Sequence, residues 1–341
     1  MLETIWFVLW GVLWAVYFTL DGFDLGLGTL NPFIARSEED KRVAYNSMGP
    51  FWDGNEVWLI SAGGVTFAAF PTTYAVMFST LYSPLLLILF ALILRAAAFE
   101  FRGKHHGDGW KLLWDICHFV GSFLPALLFG VAFANIFQGL PLDEEGLLQG
   151  NILTLLNPYG LLGGLTFVML FLVHGAVWLA AKAEQPLEGR AGAAASKLWV
   201  VLFVVLLVFL IATRAVTPLF DNYLNYPLLL VIPVLALVAL LAARFFILQK
   251  AWWKAWFASG ATILFTVLFG VIGLYPNLLP SSIDPRYSLT AFNSSSSPLT
   301  LKIMLATALI FVPIVIAYQA WGYYILKDKI TKEDLASDEA Y

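Results

Sequence analysis

The 341-residue chain is 60% hydrophobic and 12% charged, with 13 Trp and 28 Phe, whereas a soluble domain carries roughly 25% charged residues. That leaves too little polar surface for a soluble fold of this length, so the sequence reads as an integral membrane protein. A net charge of −4 without any Lys/Arg-rich block argues against a nucleic-acid partner, and the single cysteine, Cys117, excludes an internal disulfide, a CxxC pair and a zinc cage.

A membrane-crossing helix needs about 20 mostly apolar residues. A window of that length predicts nine, near Ile5–Leu27, Phe51–Phe70, Ala75–Ala98, Leu112–Ile136, Leu161–Ala181, Leu198–Thr213, Pro227–Ala243, Trp256–Leu274 and Leu301–Leu326. The N-terminus has neither a basic stretch nor a small-residue cleavage site, so the first span is expected to be retained. The expected fold is all-α and polytopic: a single transmembrane domain over residues 1–341, built as two four-helix bundles plus one extra helix. Its structural halves are expected near 1–136 and 158–274, with the final helix near 301–326.

Loop charge orients this arrangement. The odd-numbered connections and the C-terminal tail hold 15 Lys and Arg residues, while the opposite side holds Arg214, Arg286 and Lys302, and Arg95 falls inside a span. Positive residues stay in the cytoplasm, so the N-terminus is expected outside and the C-terminus inside. Of the connections, Ala35–Arg42 is charged and predicts a surface helix or turn. The outer loop near residues 137–160 is acidic, through Asp143, Glu144 and Glu145. The outer loop near 275–300 is rich in Pro and Ser and contains Asn293-Ser294-Ser295, a weak match to a glycosylation acceptor.

The first 60 residues carry the informative polar groups. The first span is read as ending in Asp21-Gly22-Phe23-Asp24-Leu25-Gly26, with Asp21 and Asp24 on one helix face near the cytoplasmic edge of the membrane. Gly22 and Gly26 would let another helix approach closely; Gly63 and Gly64 are further candidates. The second span lies between Pro50 and Pro71 and is barely long enough to cross. Its first turns, Phe51-Trp52-Asp53-Gly54-Asn55-Glu56-Val57-Trp58, are therefore expected to carry Asp53 and Glu56 into or against the low-dielectric zone. Acids also favour a helix N-terminus for its dipole alone. A carboxyl held inside a membrane must find a partner, face a cavity or take up a proton, and the last suits a proton relay. Trp52 and Asn55 are expected to orient Asp53. Arg95 and Glu100 are read as a pair or as snorkelling groups, and Asp115, His118 and His174 as structural hydrogen-bonding residues.

Axial haem ligation needs His, Met, Cys or Tyr aimed at an iron. Only His118 and His174 lie within spans, and His105 and His106 share a short loop. The chain is therefore expected to bind no haem, and no other metal site or catalytic constellation is expected.

The two motifs together, Asp21-Gly22-Phe23-Asp24-Leu25-Gly26 and Trp52-Asp53-Gly54-Asn55-Glu56-Val57-Trp58-Leu59, resemble the signature of subunit II of cytochrome bd-type quinol oxidases. The chain length and span count extend the likeness to the whole sequence. The resemblance implies a multi-pass subunit of the bacterial cytoplasmic (inner) membrane. It would pair with a haem-bearing subunit I that holds the b- and d-type haems, in a complex that oxidises quinol and reduces O₂ to water. It leaves room for a bound quinone and for a small single-span accessory subunit. It implies a proton pathway through Asp53, with Asp24 a lesser candidate; Asp21, Glu56, Trp52 and Asn55 complete the set, although the family admits Gln at the position of Glu56. The competing reading of the same acids is a proton-coupled secondary transporter, which would be expected to break helices at matching places in two halves.

Overall fold

A computed structural model describes residues 1–336. In chain order the helices are α1 (Leu2–Ile34), α2 (Glu38–Met48), α3 (Trp52–Ala69), α4 (Pro71–Thr80), α5 (Tyr82–Phe101), α6 (Asp108–Gln138), α7 (Ile152–Leu155), α8 (Pro158–Lys182), α9 (Leu187–Val216), α10 (Phe220–Asn225), α11 (Val231–Leu248), α12 (Trp252–Leu274), α13 (Pro298–Ile325) and α14 (Lys332–Leu335). Among the described residues, eight helical segments are long and apolar enough to cross a membrane. The expected second span, realised as α3, falls outside that set. It has 18 residues, about 27 Å at a 1.5 Å rise, and its first turns spend five positions on Trp52, Asp53, Gly54, Asn55 and Glu56.

Two spans differ from expectation, and one outer loop carries strands. Helix α1 continues to Ile34, about 50 Å in all, so Asp21 and Asp24 lie well inside it. The expected third span, Ala75–Ala98, is two helices. Pro84 stands in the first turn of α5, where its missing N–H costs nothing, but in a continuous helix its ring would meet the carbonyl of Thr80; the chain breaks at Leu81, with φ −99° and ψ 20°. The outer loop near 275–300 holds a short 3-10 turn (Pro285–Tyr287) and two strands: β1 (Asn277–Leu279) pairs antiparallel with β2 (Leu289–Thr290), a small departure from an all-α fold. Within it Asn293 is committed to the loop itself. Its Oδ1 accepts from the N–H of Thr290 at 2.7 Å, and its Nδ2 donates to the carbonyl of Ser288 at 2.9 Å.

Helix α1 is the axis of the molecule, packed against α3, α6, α8 and α12. Glycine permits its approach to α8. A Cβ on Gly26 would overlap the backbone carbonyl of Phe171, and one on Gly175 would overlap the backbone of α1 at Gly26 and Leu27. Gly22 likewise faces the ring of Phe171. These glycines therefore serve packing within the chain. Gly63 and Gly64 have nothing near them in this chain and line clefts open to its surroundings. Around α1 the core is aromatic: Phe18 sits among Phe129, Phe133, Phe167 and Phe171, with ring centroids 4.9–6.1 Å apart.

Helix α13 stands off this core, with Leu301 its only buried residue. It is tethered at both ends. Trp6 Nε1 donates to the carbonyl of Leu301 at 3.0 Å, and Trp58 Nε1 donates to Gln319 Oε1 at 2.7 Å. Between the tethers an apolar cleft of about 1180 Å³ separates α13 from α1, α3 and α12.

The charged Ala35–Arg42 stretch leads into α2. Ser37 caps that helix through a reciprocal box with Asp40, an arrangement worth about 1 kcal/mol. Around α2 the positive loop residues find acids: Lys41 with Asp115 at 2.7 Å, Arg102 with Glu38 at 2.9 Å, Arg190 with Asp40 at 2.6 Å and Lys332 with Glu39 at 3.2 Å. Burial works against the charge on Glu38, but Arg102 and Lys111 outweigh it and hold the carboxyl below its ordinary range. The first, third and fifth connections and the tail thus meet at one end of the bundle.

Candidate functional site

Helices α1, α3 and α5 bring two carboxyls, Asp21 and Glu56, onto one guanidinium. Arg95 is fully buried, with Nη2 2.8 Å from Asp21 Oδ1 and 2.5 Å from Glu56 Oε1. Of the two readings of Arg95 and Glu100, the pair does not form: Glu100 is exposed, because five residues at about 100° each turn it well away from the inward face of α5 that carries Arg95. Asp21 and Asp24 are both 0% exposed, and α1 runs ten residues beyond Asp24. Gly121 makes room for Arg95: a Cβ on it would stand 2.7 Å from the backbone nitrogen of Arg95.

Asp24 makes no ion pair among the described residues. Asn55 Nδ2 donates to Asp24 Oδ2 at 2.8 Å, and Asp24 Oδ1 is buried without a hydrogen-bond partner. Asn55 is fixed in turn from α13, its Oδ1 accepting from Tyr323 Oη at 2.9 Å and Gln319 Nε2 at 3.1 Å. Asn55 therefore orients Asp24 and not Asp53. Neither Gln319 nor Tyr323 could be anticipated from the sequence, because nothing local links α13 to α3.

Asp53 is exposed in this chain, outside the cluster. It lies in the first turn of α3 on the outward face, which continues through the half-buried Glu56 to the exposed Val57, Ile60 and Phe67. Trp52 is turned instead towards Phe99, ring on ring, with centroids 5.4 Å apart. The structure thus brings together Asp21, Asp24, Asn55 and Glu56, adds Arg95, Gln319 and Tyr323, and leaves Asp53 one turn away at the surface.

The histidines are differently placed. His174 is engaged at both nitrogens: Nε2 donates to the carbonyl of Thr19 at 3.1 Å, and Nδ1 lies 2.7 Å from Ser259 Oγ. His118 is packed between the rings of Tyr45 and Phe99, at 4.6 and 4.9 Å. Neither lines either of the two apolar clefts. Among the described residues no cluster of His, Cys, Asp and Glu is suited to a metal ion.

Acids gathered on one buried arginine, in a chain whose described residues include eight helices long and apolar enough to cross a bilayer, define a polytopic membrane protein with an internal ionisable centre. Such groups are expensive inside a membrane and mark proton or ion routes. The chain belongs to the cytochrome bd terminal oxidase subunit II family, whose description matches residues 2–326. It is 36% identical over 333 residues to "Cytochrome bd ubiquinol oxidase subunit 2" of Bacillus subtilis, covering 98% of each chain. It is 38% identical over 352 residues to "Probable cytochrome oxidase subunit 2" of Haemophilus influenzae, covering 94% of this chain and 93% of that one. With "Cytochrome bd-I ubiquinol oxidase subunit 2" of Escherichia coli K12 the identity is 36% over 373 residues, covering 98% and 97%. The fold is similar to that of the bd oxidase of Geobacillus thermodenitrificans, with a TM-score of 0.74, 18% identity, and coverage of 96% of this chain and 99% of that one. The chain is therefore a multi-pass subunit of a haem-containing terminal oxidase, an oxidoreductase complex with a partner subunit.

Proposed function

We propose that this chain pairs with the haem-bearing subunit I of a quinol-oxidising, O₂-reducing complex in the bacterial cytoplasmic membrane, binds no haem itself, and helps supply cytoplasmic protons. The observation that carries the proton role is the unpaired, fully buried carboxyl of Asp24 beside the Asp21–Arg95–Glu56 triad. If all three acids were ionised the cluster would hold two uncompensated negative charges in the membrane interior, which is strongly unfavourable. Asp24 is the member without a cation, so it is the one that carries an exchangeable proton. Glu56, its side chain 21% exposed, opens the cluster towards the outward face of α3, where Asp53 stands.

That face, with the neighbouring outward surface of α13, is where subunit I is placed. Exposed acids on an apolar helix face suit a protein partner better than lipid, and the open Gly63 and Gly64 allow close helix approach. A single-span accessory subunit has no surface singled out for it. The cleft behind α13 has the volume and lining to accept a quinone tail. The transporter alternative finds no support in the helices, since α1 runs unbroken through Asp21 and Asp24.

The topology proposed is nine spans with α3 as the shortest, the N-terminus outside and the C-terminus inside. The gathering of the basic loops at one end supports it. Reporter fusions after Tyr341 and within the 143–150 loop are expected to report opposite sides of the membrane; the same side for both would end this topology. The functional reading is tested by purifying the tagged chain from its native membrane. The expected product is a complex with b- and d-type haem absorption and quinol-driven O₂ consumption. A stable, active chain without a haem-bearing companion would overturn it.

A further inference from the structure

The cluster lies below the surface at the basic end of the bundle, and the residues between it and that end are not part of the family motifs. Asp115 marks the surface there, bonded to Lys41 at 2.7 Å and Arg102 at 2.6 Å, and accepting from Tyr45 Oη at 3.3 Å. One turn inward on α6 is His118, 1% exposed, with Nε2 lacking a partner. One further turn inward is Ser122, 0% exposed, with Oγ lacking a partner.

Ser122 is unusual for its setting. A buried helical hydroxyl ordinarily donates to the carbonyl four residues back. In this chain Thr19, Thr29, Thr66, Thr166 and Thr262 all do so, at 2.7–2.9 Å. Ser122 does not; its hydroxyl turns across to α1 at Gly28. A methyl group on Gly28 would overlap Ser122 Oγ and stand 3.1 Å from His118 Cε1, so the absent side chain keeps His118 and Ser122 open to one shared spot. One turn from Gly28 along α1 is Asp24 with its unpartnered Oδ1, and beside Ser122 on α6 Gly121 brings in Arg95, whose Nε and Nη1 also lack partners. Between the bonded carboxyl of Asp115 and the cluster, the unpartnered His118 Nε2 and Ser122 Oγ thus stand about one turn, 5–6 Å, apart on α6, and the unpartnered Asp24 Oδ1 lies one turn along α1 from Gly28, which Ser122 faces. Water makes two to four hydrogen bonds in such polar sites and bridges gaps of this size. A purely packing role accounts for the stacked ring of His118 but not for the orientation of Ser122.

We propose that His118 and Ser122 line a water-bridged proton inlet, from the Asp115 end of α6 past Gly28 to Asp24. This rests on the reading of the cluster as part of proton supply. Each hop gives one proton to the next acceptor and takes one from the previous donor, so the file returns to its starting state and one proton reaches Asp24. His118 offers a ring nitrogen to the file, and Ser122 offers a hydroxyl able both to donate and to accept.

The test uses the whole oxidase complex in proteoliposomes. Valine and threonine are nearly the same shape, so Ser122→Val and Ser122→Thr disturb packing alike, and only the threonine keeps the hydroxyl. Ser122→Val is expected to slow quinol-driven O₂ consumption and proton uptake at least about ten-fold with haem absorption unchanged, while Ser122→Thr stays near the native rate. His118→Leu is expected to follow Ser122→Val. Asp24→Asn is the reference. If Asp24→Asn is slow while Ser122→Val is normal, or Ser122→Val and Ser122→Thr are equally slow, the inlet proposal fails and the cluster reading stands. If Asp24→Asn also turns over normally, the cluster reading itself fails. Should His118→Leu not assemble, the Ser122 pair decides alone.

Discussion

Replacing Arg95 with methionine is expected to cost the complex about 3–5 kcal/mol of stability, the usual penalty for stranding a buried charge by removing its partner. Arg95 is the only cation paired with Asp21 and Glu56 among the described residues, and it is itself 0% exposed. Its loss leaves carboxyls facing one another in a medium that cannot screen them. Lysine is not an adequate substitute, because a guanidinium presents five donors in a fixed plane whereas an ammonium is a compact point charge. Removing the whole charge set is milder than removing one member: Arg95→Met combined with Asp21→Asn and Glu56→Gln is expected to recover much of the loss, since neutral groups of the same shape need no counter-ion. Yield and thermal unfolding midpoint of the purified complex read both effects. An Arg95→Met complex that accumulates and melts like the native one would show that the cluster bears no charge to neutralise.

What could be read from the sequence was whatever depends on short-range pattern. Hydropathy located the spans because each helix must satisfy its backbone internally and turn apolar groups to lipid. It erred at α1 and α5. Helix α1 runs on past Gly26, packed against α8, to Ile34, where Ala35 turns extended and Ser37 caps α2, and the start of α5 is set by the ring of Pro84. Motif reading picked out Asp21, Asp24, Asn55 and Glu56, because acids and amides in apolar helices are conspicuous. It could not see which of them meet. Arg95 lies about 40 positions beyond Glu56 and was matched to its neighbour in sequence, Glu100. Gln319 and Tyr323 hold Asn55 from the far end of the chain. The placement of Asp53 outside the cluster has a related cause: helix length bounds how deep a residue sits, but not which way it faces, and Asp53 faces outward from this chain.

That difference of placement decides the expected result for the two acids. Asp24→Asn keeps the shape of the side chain and a hydrogen bond to Asn55, but removes the site that can hold a proton. If Asp24 relays protons, quinol oxidase turnover is expected to fall by about a hundred-fold, the lower end of the range for losing a positioned acid–base group. Assembly and haem absorption should stay close to native, because the exchange introduces no charge and no change of volume. Asp24→Glu is expected to be a poor rescue, since Asp24 is fully buried and held by Asn55 at 2.8 Å, and a longer side chain breaks that contact or overpacks the site at about 1–3 kcal/mol. Asp53 is different. On the open face of α3, beside Glu56, it has space in this chain, so Asp53→Glu should retain most of the activity that Asp53→Asn loses. Lengthening the acid is thus expected to be tolerated at Asp53 and not at Asp24, while the amide is harmful at both. Rates of O₂ consumption measured on complexes of equal haem content distinguish the cases. Normal turnover in Asp24→Asn would make Asp24 a packing residue held by Asn55. Normal turnover in Asp53→Asn alone would place the exit towards subunit I at Glu56, whose side chain already reaches the surface between the cluster and the partner.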